Sequence, residues 1–328
     1  MRNIAVLGAG AWGTALALAF CRSHRVTLWA RNGQQAAAMA ESRENHRYLP
    51  GFVLPPELQL EADLAAAVTG ADLNLVVTPI SGLRTSLARL RNLAPSTPVI
   101  WACKGLEAGS GKLPHRIVAE ELGEELPCAV LTGPSFADGV ARGQPAAVTL
   151  ASCNLEFARE LAQELNTPRL RLYASDDVVG AEVGGAVKNV MAIAAGISDG
   201  MGFGLNARAA LLTRGLAEIS RLGVALGGRR ESFMGLAGMG DLILTCTGDL
   251  SRNRRVGLEL AKGMPLAQIL ADLGHTAEGV SSAREVACLA QRMGIDMPIT
   301  QAVAGVLFDG LPAGQAVEQL LARDPKVE

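Results

Sequence analysis

The chain has 328 residues, of which 49% are hydrophobic and 19% charged, and this length is sufficient for two compact domains. The composition is typical of a folded globular protein and excludes an intrinsically disordered one. The formal net charge of −2 argues against nucleic acid as the main partner, because a phosphate backbone is bound by a surplus of lysine and arginine.

Cysteine and histidine usage bears on the compartment and on metal binding. The 6 cysteines are scattered without a CxxC pair, and none of the 4 histidines lies at ligand spacing. We therefore expect reduced cysteines, no metal and a cytoplasmic location. The chain begins almost directly with an apolar strand, so no signal peptide is expected. Without about 18 uninterrupted apolar residues, no transmembrane segment is expected either.

The first half of the chain alternates between strand-like and helix-like segments. Short apolar or alternating runs predict strands at Asn3–Leu7, Arg25–Ala30, Leu73–Thr78, Val99–Cys103, Ala129–Thr132 and Ala146–Ala151. Helical stretches separate them, beginning with Trp12–Phe20. This alternation is typical of a doubly wound parallel sheet, which we place at residues 1–176.

After Asp176 convincing strands disappear. Helical patterns follow at Val178–Ile197, Ala207–Leu226, Asn253–Lys262, Pro265–Leu273, Ser281–Met293 and Pro298–Asp309. We therefore expect an all-α C-terminal domain at residues 177–328, with the boundary in one long helix that begins near Asp177.

A dinucleotide fingerprint follows the first strand. Gly8–Gly13 reads GAGAWG and matches G-x-G-x-x-G between a predicted strand and a predicted helix. Gly8 permits a tight turn, Gly10 lets a pyrophosphate approach the backbone, and Gly13 lets the helix close on the strand. The free N–H groups of the helix start favour phosphate. The segment predicts a Rossmann domain that binds a dinucleotide; the alternative is a tight turn without a ligand.

The end of the second strand bears on cofactor choice. An NAD-specific site usually places a carboxylate there to hold the ribose 2′-hydroxyl, whereas this chain has Arg31. A guanidinium suits a 2′-phosphate by charge and by its bidentate hydrogen-bonding geometry. We therefore predict NADPH as the cofactor, with NADH also accepted. The alternative is a solvated arginine at a strand end.

Polar residues also follow two later strands. Lys104 comes just beyond the strand at Val99–Cys103, and Gly133 and Ser135 follow the strand at Ala129–Thr132. Ligands of open α/β sheets bind at the carboxyl ends of the strands, so these residues are candidates for ligand contact. The alternative for each segment is an ordinary turn.

Lys188 is the strongest candidate for proton transfer. Gly184 and Gly185 each cost a helix about 1 kcal/mol against alanine, which indicates that another group approaches closely there. These glycines, together with Met191 and Ala192, are the neighbours of Lys188 at helical spacing, so we expect a largely apolar niche. Desolvation in such a niche would adjust the lysine for proton transfer. The alternative is a lysine that extends from a core helix to solvent.

A third group of polar residues lies further along the helical half. Asp241 follows a glycine-rich loop, and Ser251 is a plausible N-cap of the helix that contains Arg252 and Asn253. A helix N-terminus beside an arginine makes a good phosphate receptor. A plain helix cap with a solvated basic face is the alternative.

Taken together, these residues resemble the bacterial NAD(P)-dependent glycerol-3-phosphate dehydrogenases over essentially the whole chain. The motifs that carry the resemblance are GAGAWGTALA at Gly8–Ala17, NHRYLPG at Asn45–Gly51, ACKG at Ala102–Gly105, GPSFA at Gly133–Ala137, VKN at Val187–Asn189, GLAGMGDLILTC at Gly235–Cys246, SRNRRVG at Ser251–Gly257 and AEGV at Ala277–Val280. Ala11-Trp12 departs from the serine and phenylalanine or tyrosine of many members, and the segment around Thr276 is less typical.

The resemblance implies specific roles for residues of this chain. Lys188 is implied as the catalytic proton acceptor. The implied cofactor positions, besides Gly8, Gly10 and Gly13, are Trp12, Arg31, Lys104, Ala137, Arg252, Thr276 and Glu278. The implied substrate contacts are Lys104, Gly133, Ser135, Lys188, Asp241, Ser251, Arg252 and Asn253.

The resemblance also implies the reaction, which is reversible hydride transfer between NAD(P)H and C2 of dihydroxyacetone phosphate to give sn-glycerol 3-phosphate for glycerophospholipid synthesis. A homodimer is implied in the same way. Two alternatives are a β-hydroxyacid or ketopantoate-type dehydrogenase and a non-catalytic NADPH-sensing module. The SRN segment favours a phosphorylated substrate over the first, and Lys188 with Asp241 argues against the second.

Overall fold

A computed structural model describes residues 1–274 and 277–323 of the chain. The chain divides into two compact units. The sheet unit comprises Met1–Lys104 and Pro114–Val178, and the helical unit comprises Gly105–Leu113 and the chain from Val179 onward. Sequence patterns placed Gly105–Leu113 with the sheet, but Leu106 and Leu113 are buried in the hydrophobic core of the helical unit.

The strands of the sheet unit form one large sheet and one small hairpin. They are β1 (Asn3–Leu7), β2 (Arg25–Trp29), β3 (Glu44–Asn45), β4 (Leu49–Val53), β5 (Gln59–Glu61), β6 (Leu73–Val76), β7 (Val99–Trp101), β8 (Cys128–Thr132), β9 (Ala146–Ala151) and β10 (Leu170–Ser175). The 8-stranded sheet has the order β10-β9-β8-β7-β6-β1-β2-β5, and β3 pairs with β4 in an antiparallel hairpin.

The large sheet confirms the predicted doubly wound Rossmann architecture with one modification. All neighbouring strands run parallel except β8 and β9, which pair antiparallel. β1 lies between β2 and β6, so the strand order reverses beside β1. In open α/β sheets this reversal creates the crevice in which ligands bind.

Helices connect the strands of this unit. They are α1 (Ala11–Phe20), α2 (Gly33–Ser42), α3 (Leu64–Val68), α4 (Ile80–Leu93), α5 (Pro114–Leu122), α6 (Ala137–Ala141) and α7 (Leu155–Leu165). Sequence patterns located the central strands but missed β5, β10 and the hairpin. β5 and β10 form the two edges of the sheet, where one face or end is exposed and the apolar pattern is correspondingly weak.

The helical unit is all-α over its described residues, as predicted. Its helices are α8 (Val178–Gly200), α9 (Gly204–Ala225), α10 (Arg230–Met234), α11 (Asp241–Thr247), α12 (Arg252–Ala261), α13 (Leu266–Leu273), α14 (Glu278–Arg292), α15 (Pro298–Phe308) and α16 (Ala313–Leu321). A π-helical turn, Leu236–Gly240, connects α10 to α11.

Helix α8 is the centre of this unit. By length and composition alone it could cross a membrane, with a mean hydropathy of 1.4, but 94% of the apolar stretch is buried inside the protein. Its side chains form the middle of a hydrophobic core to which Phe233, Leu242, Val256 and Val286 contribute from later helices. A helix that is apolar on all sides is the expected core element of such a bundle.

Glycines let α12 approach α8 at backbone distance. A Cβ atom on Gly196 of α8 would overlap the carbonyl oxygen of Arg254, and one on Gly257 of α12 would overlap that of Ile193. The two helices therefore contact each other through their backbones, which fixes the start of α12 relative to α8.

Candidate active site

The fingerprint loop is held by two glycines that no other residue could replace without backbone movement. Gly8 follows β1 with a φ of +126°, and its Cβ would lie 2.7 Å from the carbonyl oxygen of Val77. A Cβ on Gly13 would overlap the carbonyl oxygen of Gly8, so the start of α1 packs directly on the turn. Both glycines therefore have the structural roles that the fingerprint predicts.

Gly10 differs from both, because no heavy atom beyond Gly10 and its two chain neighbours lies within 4 Å of the position its Cβ would take. It is the N-cap residue of α1, and no side chain caps this helix start. A helix N-terminus with an open approach over a glycine fits the pyrophosphate of a dinucleotide. The residues present therefore fit an NAD(P) cofactor at this loop.

Arg31 lies at the same sheet edge as the fingerprint loop. Leu7 and Trp29 are paired in register at the ends of β1 and β2, and Arg31 follows two residues later with an exposed side chain. Asn32 caps α2 by accepting hydrogen bonds from the backbone N–H groups of Gln34 and Gln35. Half-buried Trp12 occupies the first turn of α1.

The candidate residues after β7 and β8 also share one edge of the sheet. Trp101 pairs in register with Val130, and Lys104 and Gly133 each follow three residues later. Gly133 has a φ of +141°, and its Cβ would lie 3.0 Å from Cα of Val148, which requires glycine there. The Ser135 hydroxyl donates to the Gly133 carbonyl at 3.1 Å. Ala137 begins α6.

In the helical unit, Lys188 of α8 forms a buried polar cluster with Asp241 and Thr245 of α11. Its ammonium donates hydrogen bonds to the Asp241 carboxylate and, at 2.9 Å, to the Thr245 hydroxyl. The side chains of Lys188 and Asp241 are only 8% and 1% exposed. The expectation of a largely apolar niche was therefore wrong in one respect, since a carboxylate compensates the ammonium charge there.

The close approach that the adjacent glycines predicted brings this carboxylate to the lysine. A Cβ on Gly184 would overlap the carbonyl oxygen of Ala237, in the π-helical turn just before Asp241. Such turns change the direction in which following side chains project and often occur at functional sites. Thr245 also donates to the Asp241 carbonyl at 2.6 Å, which orients its hydroxyl within the cluster.

Cys246 adjoins this cluster but is chemically inert. Burial raises the pKa of its thiol to about 12, and the nearby Lys188 charge only partly opposes that effect. Because the thiolate is the nucleophilic form, Cys246 remains a neutral apolar side chain at physiological pH.

A second buried polar cluster joins three helices next to Lys188. Asn253 of α12 donates to the side-chain oxygen of Asn189 at 3.0 Å and accepts from the backbone N–H of Gly279 in α14 at 3.0 Å. Ser251 caps α12 by accepting from the Arg254 N–H at 3.3 Å, as predicted, and Arg252 is exposed beside it. The Asn253 side chain thus connects α8, α12 and α14.

Charged side chains fix α12 on its other side. Asp199, near the end of α8, accepts hydrogen bonds from Arg254 at 2.8 Å and from Arg208 of α9 at 2.7 Å. The Asp199 side chain is 6% exposed, so this pairing is largely desolvated. It holds the N-terminal turn of α12 against α8 and α9.

Asn189 and Thr245 were missed as site residues by sequence reasoning. Asn189 directly follows Lys188, and Thr245 lies one helical turn after Asp241, so helical spacing could have indicated both. Half-buried Glu278 begins α14. Thr276 lies outside the described residues.

Comparisons with known proteins agree with this geometry. The family models described as the N-terminus and C-terminus of NAD-dependent glycerol-3-phosphate dehydrogenase match residues 3–158 and 177–318. A relative from Aromatoleum aromaticum, named glycerol-3-phosphate dehydrogenase [NAD(P)+], is 65% identical over 99% of this chain and 100% of its own.

Solved structures agree as well. The crystal structure of glycerol-3-phosphate dehydrogenase from Coxiella burnetii is 44% identical with a TM-score of 0.94 and covers 98% of this chain and 99% of its own. A ketopantoate reductase from Ralstonia eutropha, with coverage of 97% and 100%, reaches a TM-score of 0.58 at 19% identity, which shows a shared fold alone. This chain belongs to the NAD-dependent glycerol-3-phosphate dehydrogenase family.

Proposed function

We propose that this protein interconverts sn-glycerol 3-phosphate and dihydroxyacetone phosphate with NADPH, and also with NADH. The observation that carries the proposal is the buried cluster of Lys188, Asp241 and Thr245 in a chain that matches the family along nearly its whole length. When bound, NAD(P)H supplies the hydride that C2 accepts; the protein must orient the substrate and move one proton.

Lys188 is the residue to which we assign the proton transfer. Its ammonium gives a proton to the C2 oxygen during reduction, and in the reverse direction its neutral amine takes the proton of the C2 hydroxyl. Asp241 compensates the buried charge, and Thr245 fixes the direction of the ammonium through a 2.9 Å hydrogen bond. A buried lysine held in this way presents its N–H groups without a reorganisation cost at the moment of reaction.

The substrate phosphate is assigned to the start of α12. Ser251, Arg252 and Asn253 lie there, and the helix N-terminus and the exposed guanidinium both favour an anion. Binding energy from a phosphate remote from C2 can align the reacting carbon. Further substrate contacts that we propose are Lys104, Gly133, Ser135, Lys188 and Asp241.

For the cofactor, we assign the pyrophosphate to the loop around Gly10 and the 2′-phosphate to Arg31. Further cofactor positions that we propose are Gly8, Trp12, Gly13, Lys104, Ala137, Arg252, Thr276 and Glu278. We also propose that the domains divide at residues 1–176 and 177–328, apart from Gly105–Leu113, which belongs to the helical unit. We further propose that the enzyme is a cytoplasmic homodimer and that its product enters glycerophospholipid synthesis. Nucleic acid and metal have no place in this proposal.

Initial rates of NADPH and NADH oxidation test the proposal. Dihydroxyacetone phosphate should be reduced with a far higher kcat/KM than unphosphorylated dihydroxyacetone or ketopantoate. Arg252→Ala should raise the KM for dihydroxyacetone phosphate strongly and that for dihydroxyacetone much less, because the latter has no phosphate to lose. Since Arg252 is also assigned to the cofactor, NADPH affinity is measured separately by fluorescence titration.

Arg255 provides a matched control, as an exposed arginine in the same helix. Arg255→Ala should leave both KM values within about twofold, as for most surface substitutions. Equal kcat/KM for the phosphorylated and unphosphorylated substrates of the unmodified enzyme would overturn the proposal in favour of a general hydroxyacid dehydrogenase.

A further inference from the structure

The hairpin β3–β4 contains the NHRYLPG motif, for which the proposed function gives no role. Asn45, the first residue of this motif, is only 1% exposed. Leu49 and Phe52 of the hairpin pack with Ala15 and Trp12 of α1. The hairpin is therefore anchored on the helix that begins the dinucleotide fingerprint.

Asn45 contacts the fingerprint directly. Its amide nitrogen donates to the Ala9 carbonyl at 3.0 Å and to the Thr14 hydroxyl at 2.8 Å. The Thr14 hydroxyl in turn donates to the Gly10 carbonyl at 2.8 Å. The amide oxygen of Asn45 accepts from the Tyr48 N–H at 3.3 Å, so the amide orientation is fixed from both sides.

A second amide reaches the same carbonyl from α2. The side chain of Gln35 donates to the Ala9 oxygen at 2.9 Å. Ala9 therefore receives hydrogen bonds from two side chains that belong to separate elements, one buried and one half-buried. A carbonyl with two donors is strongly fixed in direction.

This orientation has a consequence for the next amide group. In a trans peptide the C=O and the following N–H point in opposite directions. Fixing the Ala9 carbonyl toward Asn45 and Gln35 therefore fixes the Gly10 N–H toward the other side. It also removes the Ala9 oxygen, which would repel an anion, from the approach over Gly10.

We propose that Asn45, assisted by Gln35, is a positioning residue that preorganises the Ala9–Gly10 peptide for the pyrophosphate of the cofactor. This inference rests on the proposed NAD(P) dependence of the enzyme. Without the two donors the peptide can rotate, and binding must then pay the entropy of ordering it. The effect acts on the part of the cofactor that NADPH and NADH share.

The test is direct titration of NADPH and NADH by fluorescence, without substrate. Asn45→Asp retains the size but replaces the donor by an acceptor against the Ala9 oxygen. The dissociation constants for both cofactors should rise by the same factor, about tenfold or more, a change of about 1.4 kcal/mol. At saturating cofactor, kcat should stay within about threefold, and amide hydrogen exchange at Gly10 should become faster.

Gln35→Met tests the same peptide without changing a buried residue, and Gln34→Met is its matched control on the same turn of α2. Gln35→Met should raise both dissociation constants about two- to fivefold, and Gln34→Met should change neither. If Asn45→Asp proves unstable in thermal unfolding, the comparison of Gln35→Met with Gln34→Met shows whether the Ala9–Gly10 peptide is preorganised for the cofactor.

Wild-type affinity for both cofactors in folded Asn45→Asp and Gln35→Met would overturn the proposal. So would a loss confined to NADPH, which would locate the effect at the 2′-phosphate. Because binding is measured without substrate, failure to reduce dihydroxyacetone phosphate would contradict the proposed reaction and leave this test intact.

Discussion

The fingerprint loop and the Lys188 cluster are constructed in opposite ways. In the loop, Gly8 and Gly13 omit side chains so that backbone can pack on backbone, and the groups offered to a ligand are peptide N–H groups. In the cluster, Lys188 is surrounded by side chains that satisfy one another in a buried space. The binding proposed for the first region would depend on shape, and the chemistry proposed for the second would depend on charge.

This difference determines how each region responds to substitution. Adding an atom to the loop produces a steric conflict or blocks the ligand, depending on which glycine is changed. Removing a partner from the cluster leaves a buried charge uncompensated, which costs about 3–5 kcal/mol in comparable buried pairs. A substitution in the loop should therefore change either stability or cofactor binding, whereas a substitution in the cluster should change stability and turnover together.

The largest effect is expected from Lys188→Met. Turnover should fall by about 10²-fold or more, the usual scale for loss of a general acid–base group. Stability should also fall, because the buried Asp241 carboxylate loses the ammonium that it contacts. The measurements are kcat at saturating substrate and thermal unfolding of the free protein.

The double variant Lys188→Met with Asp241→Asn separates these effects. It should recover part of the lost stability, since the buried carboxylate charge is replaced by a neutral amide, and recover none of the lost turnover. Near-normal turnover in either variant would remove Lys188 from the mechanism.

Gly10 and Gly13 form a matched pair within the loop. Gly13→Ala should cost about 1–3 kcal/mol of stability, because its Cβ overlaps the Gly8 carbonyl oxygen. Gly10→Ala should leave the free energy of unfolding within about 0.5 kcal/mol, because the space around it is open. Its NADPH affinity should nevertheless fall, by more than tenfold, because the methyl group occupies the pyrophosphate approach.

Chemical denaturation and cofactor titration of both variants measure this pair. Equal loss of stability in the two variants would mean that Gly10 is a structural glycine like Gly13. The open space over Gly10 would then no longer support a pyrophosphate site.

A smaller effect is expected from Arg31→Glu, which tests recognition by a side chain within the sheet unit. NADPH affinity should fall about tenfold relative to NADH, because repulsion replaces attraction at the 2′-phosphate. The ratio of the two dissociation constants is the relevant measurement. Equal losses for both cofactors would assign Arg31 to the fold or to the adenine.

The smallest effect concerns Glu218, a buried polar group of the helical unit without a proposed role in chemistry. It accepts hydrogen bonds from the Ile299 and Thr300 N–H groups, at 2.6 and 3.1 Å, and so caps α15. Burial raises the pKa of Glu218 above 4.5, with the hydrogen bonds opposing this effect. Above pH 4.5 the folded state therefore retains a proton that the unfolded state releases.

This linkage contributes stability that is fully present below pH 4.5 and is lost as the pH rises through the raised pKa. The difference in unfolding free energy between wild type and Glu218→Gln should therefore fall with rising pH across that window and then level off. Denaturant titrations over the acidic range measure it. A difference that does not vary with pH would show that Glu218 ionises alike in both states.

The same comparison explains what sequence reasoning could predict. The fingerprint is local, so its spacing alone located the loop, and apolar runs located the central strands and most of the long helices. The cluster is formed by residues far apart in sequence, and no spacing rule brings Asp241 to Lys188 rather than leaving that lysine in an apolar niche. The antiparallel pairing of β9 with β8 could not be predicted either, because the direction of a strand depends on the path of the chain and not on composition.

The burial of α8 has a consequence during synthesis of the protein. This helix emerges from the ribosome before Phe233, Leu242, Val256 and Val286, the later residues that share its core. At ordinary translation speeds its apolar surface stays uncovered for on the order of 10 s, a period in which such surface favours aggregation. The core around α8 is therefore complete only after residues as late as Val286 and Val303 have been synthesised.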